Sequence, residues 1–184
     1  MEKDDVIAKK MISRIAIIGP ESSGKTTLCK ELADHYQTSW VPEYARAYIA
    51  GLSRAYTLSD IEKIAVTQLQ QEDEAMLRAN TYLFVDTELI IAKVWCLDVF
   101  NNCPEWIELK IPEEVYDLYL LTSPDLEWIA DPVRENEKRR NYFFEWYKRE
   151  LESYQFPYYI ITGHGKSRLQ MAITVIDNYF KIRS

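Results

Sequence analysis

The sequence predicts an α/β fold, a five-stranded, mainly parallel sheet sandwiched by helices. Three observations carry that expectation. Five short apolar runs are spread along the chain, each bounded by turn residues and rich in Ile, Leu, Val or Tyr. Longer segments with apolar residues at helical spacing stand between them. The runs are continuous rather than alternating, the pattern of strands covered on both faces.

Each element can be justified in order. Ser-Arg-Ile-Ala-Ile-Ile over 13–18 ends at Gly19 and predicts the first strand. Leu28, Leu32 and Ala33 then lie at helical spacing and predict a helix over 26–36. Trp40-Val41, stopped by Pro42, predicts a short second strand. The capping signal Thr57-Leu-Ser-Asp60 opens a helix over 59–79 with an apolar stripe of Ile61, Ile64, Ala65, Leu69 and Met76. Tyr-Leu-Phe-Val over 82–85 is a third strand that runs into Asp86, with a helix over 89–97 behind it and a turn-rich connection over 103–112. The run 116–122 is a fourth strand stopped by Ser123-Pro124, and the charged stretch 125–140 is expected to be a mobile lid. Phe143, Phe144, Tyr147 and Leu151 mark an amphipathic helix over 141–154. The run 158–162 is a fifth strand, and Leu169, Ala172, Val175, Ile176 and Phe180 face inward from a last helix over 166–182. No repeat or linker divides the chain, so 1–184 reads as one domain with a charged leader over 1–12.

Composition narrows the function. With 47% hydrophobic and 28% charged residues the chain is of folded type. A formal charge of −7 argues against a general affinity for nucleic acid or anionic membrane. Its apolar runs fall far short of the ~20 residues that span a bilayer. Three cysteines without metal-ligand spacing read as packing or surface thiols of a reduced, cytoplasmic protein.

One motif is specific. Gly19-Pro-Glu-Ser-Ser-Gly24-Lys25-Thr26 fits G-x-x-x-x-G-K-[ST], between a strand and a helix. Glycine conformations there let successive N–H groups wrap an anion at the positive end of a helix. Lys25 would reach the outer phosphates of a nucleoside triphosphate and Thr26 would hold Mg²⁺. The expected nucleotide-binding set is Gly19, Glu21, Ser22, Ser23, Gly24, Lys25, Thr26 and Thr27, with ATP and Mg²⁺ as cofactors. The fold is accordingly that of a P-loop NTPase.

Asp86, at the end of an apolar strand, is placed for a metal-holding acid, although a helix N-cap would also favour Asp there. Thr87 and Glu88 continue the turn, Glu88 with the weaker claim on the cleft. The GTP signature N-K-x-D does not occur. A small-kinase plan remains, with an acceptor segment after the second strand and an arginine-bearing lid after the fourth. Glu43, Tyr44, Arg46 and Tyr48 cluster after Pro42. There a carboxylate can take a hydroxyl proton, an arginine can offset charge and aromatic faces can hold a cationic ring. An ordinary helix start with a Glu43/Arg46 surface pair would read the same. Trp128, Asp131 and Arg134 are the lid candidates, set against a plain solvated charge run. Arg168 belongs to the loop before the last helix, which lines the adenine site in small kinases.

GPESSGKTTL, WVPEYARAYI, FVDTE and YDLYLLTSPDLEWIADPVR occur in this order and together resemble the ribosylnicotinamide kinase domain of the NadR-type NAD-biosynthesis proteins. The resemblance spans about 13–180. It implies ATP-dependent phosphorylation of the 5′-hydroxyl of nicotinamide riboside to the mononucleotide. It also implies Lys25, Asp86, Glu43 and Arg134 as the catalytic set, with Thr26 and Asp86 at the metal. Glu43, Tyr44, Arg46, Tyr48, Trp128 and Asp131 are then the acceptor-binding residues. The family's bifunctional members carry an N-terminal adenylyltransferase domain, which this chain is expected to lack. Kinases of another nucleoside, deoxynucleoside or nucleotide, and an ATP-binding switch without a small acceptor, are the alternatives.

Overall fold

The computed structural model describes residues 12–114 and 116–182. Most of the expected leader therefore lies outside the described residues. The sheet contains β1 (Ser13–Ile18), β2 (Trp40–Val41), β3 (Tyr82–Asp86), β4 (Leu118–Thr122) and β5 (Tyr158–Ile161). Every pairing is parallel and the order is β2-β3-β1-β4-β5. The expected five-stranded α/β sheet is present.

The two faces of β1 explain the layers. Ile15 and Ile17 point to one side, where they pack with Leu28 and Leu32 of α1 (Lys25–Tyr36) and Ile173 and Ile176 of α7 (Gly165–Lys181). Ala16 and Ile18 point to the other, against α3 (Leu58–Met76), α4 (Leu89–Phe100) and α6 (Arg140–Ser153) through Ile61, Ile90 and Leu151. All four β1 side chains are 0% exposed, which is why that strand reads as an unbroken apolar run.

Two short helices complete the chain, α2 (Tyr44–Ala50) and α5 (Glu105–Lys110). The latter replaces part of the turn-rich connection expected over 103–112. Its six residues turn fewer than two times, so they carry no readable period; Ile107 is buried in the core and Trp106 packs against it. The end of α3 comes at Met76 rather than residue 79, before the turn into β3.

Strand order reverses at β1, so the ends of β1, β3 and β4 form one crevice, the usual ligand position in open α/β sheets. Gly19 follows β1, Asp86 ends β3 and Thr122 ends β4. The site lies there.

Candidate active site

The loop 19–24 is braced from beneath. Gly19 has φ 149°, and a Cβ at this position would overlap both Oγ1 and the carbonyl of Thr122. The Ser23 hydroxyl donates to Pro20 O at 2.7 Å and lies 2.6 Å from Thr122 Oγ1, so its side chain points into the protein. Gly24 stands at φ 78° before α1, whose first turn has no side-chain cap. Those uncapped N–H groups, with the helix dipole behind them, make an anion site. Lys25 Nζ donates to Gly19 O and Pro20 O at 3.0 and 3.1 Å, folded across the loop it would leave to meet phosphate.

Asp86 is 0% exposed beneath Thr26, whose hydroxyl donates to Asp86 Oδ2 at 2.5 Å. Its other oxygen, Oδ1, is buried without a hydrogen-bond partner among the described residues. Burial, helped by the charge of Glu43, pushes the Asp86 carboxyl up to about 6. The N-cap of α4 is Glu88, which accepts from Ile90 N at 2.9 Å, so the capping alternative for Asp86 falls away.

A cleft of about 440 Å³ opens over the loop, within the range of small-ligand sites. The loop residues 19 and 21–27, Glu43, Arg46 and Arg134 line it. Tyr56, Trp95, Asp98, Arg139, Phe143 and Tyr147 form its far wall, and sequence reasoning did not find them. Tyr56 and Trp95 meet edge to face at 5.0 Å. Asp98 accepts from both terminal nitrogens of Arg139, at 2.9 and 2.5 Å. The available signal was the spacing of Ile91, Trp95 and Val99 on one face of α4, a stripe usually read as core.

Other expected residues lie elsewhere. Tyr44, Tyr48, Trp128 and Asp131 do not line the cleft. The Tyr48 hydroxyl donates to Asp60 Oδ1 at 2.8 Å, and the Tyr44 N–H donates to Gln68 Oε1, so both tyrosines engage α3. Trp128 has the Arg134 guanidinium 6.0 Å from its ring. Arg46 pairs with Asp131 rather than with Glu43. Arg168 is 4% exposed and donates to Asp125 and to the carbonyls of Gly163, Ser23 and Ser123, which makes it a brace of the phosphate loop rather than part of the cleft lining. The helix cap before it is His164, which accepts from Ser167.

The segment 125–140, expected to be mobile, rests on the phosphate loop. Glu21 Oε2 accepts from the N–H groups of Glu135 and Asn136 at 3.1 and 2.8 Å. Ser22 Oγ accepts from Ile129 N at 3.0 Å. Arg140 donates to the carbonyls of Glu21, Ser22 and Leu126. The variable positions of the motif thus carry the lid.

A family model described as an AAA domain matches residues 14–168. The chain belongs to the AAA_28 family. Its likeness also runs to NadR proteins. The trifunctional NAD biosynthesis/regulator protein NadR of Salmonella typhimurium (strain LT2) is 33% identical over 127 residues, 67% of this chain and 31% of that protein. NadR of Escherichia coli (strain K12) matches over the same share. A crystal structure of NadR protein in complex with NR superposes with a TM-score of 0.78 at 24% identity, over 91% of this chain and 51% of that one. The AAA_28 chain here thus spans about a third of the curated relatives and about half of that structure. No helix among its described residues is long and apolar enough to cross a membrane.

Proposed function

We propose that this protein transfers the γ-phosphoryl group of ATP to the 5′-hydroxyl of a ribonucleoside, and that the ribonucleoside is nicotinamide riboside. The observation that carries the reading is a single cleft with two chemically different ends. One end is the phosphate loop with Lys25, Thr26 and Arg134. The other joins the Glu43 carboxylate to the aromatic pair Tyr56 and Trp95, a combination suited to a cationic ring. The likeness to NadR supports the same reading.

The residues fit Mg²⁺. Thr26 Oγ1 and the unpartnered Asp86 Oδ1 are hard oxygen donors at the phosphate end. When bound, the ion offsets charge on the triphosphate. Lys25 and Arg134 would add positive charge around the transferring group, and the contacts of Glu21 and Ser22 hold the covering segment over the phosphate loop. Glu43 lines the cleft whereas Asp86 is covered by Thr26, so Glu43 is assigned to orient and deprotonate the acceptor hydroxyl.

A nucleoside monophosphate acceptor would need a second anion site. Arg46 is paired with Asp131, Arg139 with Asp98 and Arg54 with Asp60, so these guanidinium groups are already matched to carboxylates. That favours an uncharged ribose end.

The test is ADP release from ATP and Mg²⁺ with and without nicotinamide riboside, with the product identified by mass. The nucleoside should accelerate release and yield the mononucleotide. Lys25→Ala should abolish this, and Glu43→Gln should lower kcat by roughly 10²–10⁴-fold. No acceleration by this or any other nucleoside would overturn the proposal.

A further inference from the structure

An acid inside an anion-binding loop needs a reason, since its charge repels the phosphates the loop is built to hold. Glu21 stands at the second variable position of the phosphate loop and lines the cleft together with Lys25. Its Oε2 accepts from two successive backbone N–H groups of the covering segment, those of Glu135 and Asn136, at 3.1 and 2.8 Å. Ser22 is a second strut. It is held at φ 56°, and its hydroxyl donates to Glu127 O at 3.3 Å and accepts from Ile129 N at 3.0 Å.

These contacts bracket one residue. Arg134 directly precedes the two N–H groups that Glu21 holds. Its Nη1 donates at 2.5 Å to the carbonyl of Ile129, the residue whose N–H Ser22 holds. Its own N–H closes a turn onto Asp131 O at 3.0 Å. Backbone and guanidinium of Arg134 are thus both tied to the phosphate loop, and Arg134 lines the same cleft. Arg140 donates to the carbonyls of Glu21 and Ser22 at 3.2 and 3.0 Å. Those bonds reach the loop backbone, so they do not depend on the side chain at position 21.

Resting on the phosphoryl-transfer reading, we propose that Glu21 is a positioning residue: its carboxylate latches the covering segment to the phosphate loop and so sets Arg134 at the group in transfer. The loop that grips the triphosphate then also fixes where Arg134 stands relative to it. The gain is preorganisation, because a positive charge aimed before the reaction needs no rearrangement during it. An arginine on an untethered segment would spread over many rotamers instead.

The test is a double-variant cycle on kcat with ATP, Mg²⁺ and nicotinamide riboside, read together with hydrogen exchange by NMR. Glu21→Ala should lower kcat about 100-fold, the effect of roughly an ångström of misplacement. KM for ATP should stay unchanged or fall, because a charge that repels phosphate is gone, whereas a merely loosened loop would raise it. Glu21→Gln keeps an oxygen for both N–H groups and should stay within about fivefold of wild type. Arg134→Met should itself be about 100- to 1000-fold slow, and adding Glu21→Ala should slow it by at most about twofold more. The amides of Glu135 and Asn136 should exchange about tenfold faster in Glu21→Ala, with those of β1 unchanged. Wild-type exchange at 135 and 136 in Glu21→Ala would remove the latch. Wild-type kcat in that variant, losses that multiply in the double variant, or a Gln variant as slow as Ala would each overturn the role through Arg134. All of these leave the kinase reading intact, since wild type still phosphorylates the riboside. If wild type phosphorylates no nucleoside, the kinase reading falls and this role with it.

Discussion

The Arg46 guanidinium lies 2.5 Å from Asp131, joining the helix beside Glu43 to the segment that covers the phosphate loop. Both side chains are partly exposed, at 40% and 26%, so the pair contributes little to global stability. Its importance is positional. The same segment is held at Glu21 and Ser22, so the pair closes a bridge from acceptor to phosphate.

Arg46→Ala and Asp131→Ala should each lower kcat/KM about tenfold, and the double variant should be little worse, a coupling of about 1 kcal/mol. A double-mutant cycle on kcat/KM checks this. Fully additive losses would mean that the two residues act separately.

Thr87 provides a second expectation. It has φ 78°, a conformation in which a β-branched residue is strained by about 1–3 kcal/mol. The turn presents Asp86 to the phosphate end and sets Glu88 as the N-cap of α4. Thr87→Gly removes that strain while adding unfolded-state entropy. It should leave Tm within a few degrees of wild type, whereas kcat/KM should fall at least about tenfold. Destabilisation beyond about 2 kcal/mol would show that Thr87 packing outweighs its strain.

These two sites show how far the sequence could be read. The phosphate loop was legible because its chemistry is carried by consecutive residues, and the sheet because β1, β3 and β4 are apolar on both faces. Asp86 was legible because it follows such a strand. Trp95 and Asp98 were not, since a helix stripe of Ile91, Trp95 and Val99 looks the same whether it faces core or cleft. Arg168 and Tyr48 show the converse. A residue type suited to ligands satisfied its hydrogen bonds within the protein, at Asp125 and Asp60. Pairing at a distance of tens of residues leaves no periodic trace.

Arg168 is accordingly expected to matter for stability first. Its side chain is 5% exposed and joins Asp125 to the carbonyls of Ser23 and Ser123 beneath the loop. Arg168→Met should cost about 3 kcal/mol, because Asp125 and the carbonyls lose their donor. Tm should fall by roughly 6–12 °C, with a rise in KM for ATP as the loop loosens. A variant with wild-type Tm but impaired ATP binding would instead restore Arg168 to the nucleotide site.

The buried carboxyls set the pH response. Burial raises Asp86 to about 6, Glu72 to about 7 and Glu88 to about 8. Each binds its proton more tightly in the folded state than in the unfolded chain, where carboxyls titrate near 4. Their contribution is therefore complete below about pH 4 and is lost as pH rises through 6–8. Asp60, held far below the usual carboxylate range by Arg54, works in the opposite sense and loses stability in strong acid. Stability should peak in mildly acidic solution. Glu88→Gln should flatten the alkaline limb, so that between pH 5 and 9 wild type loses on the order of 3 kcal/mol more than the variant. Thermal unfolding across that range gives the comparison directly, and parallel profiles for the two proteins would mean that Glu88 is already ionised at pH 5.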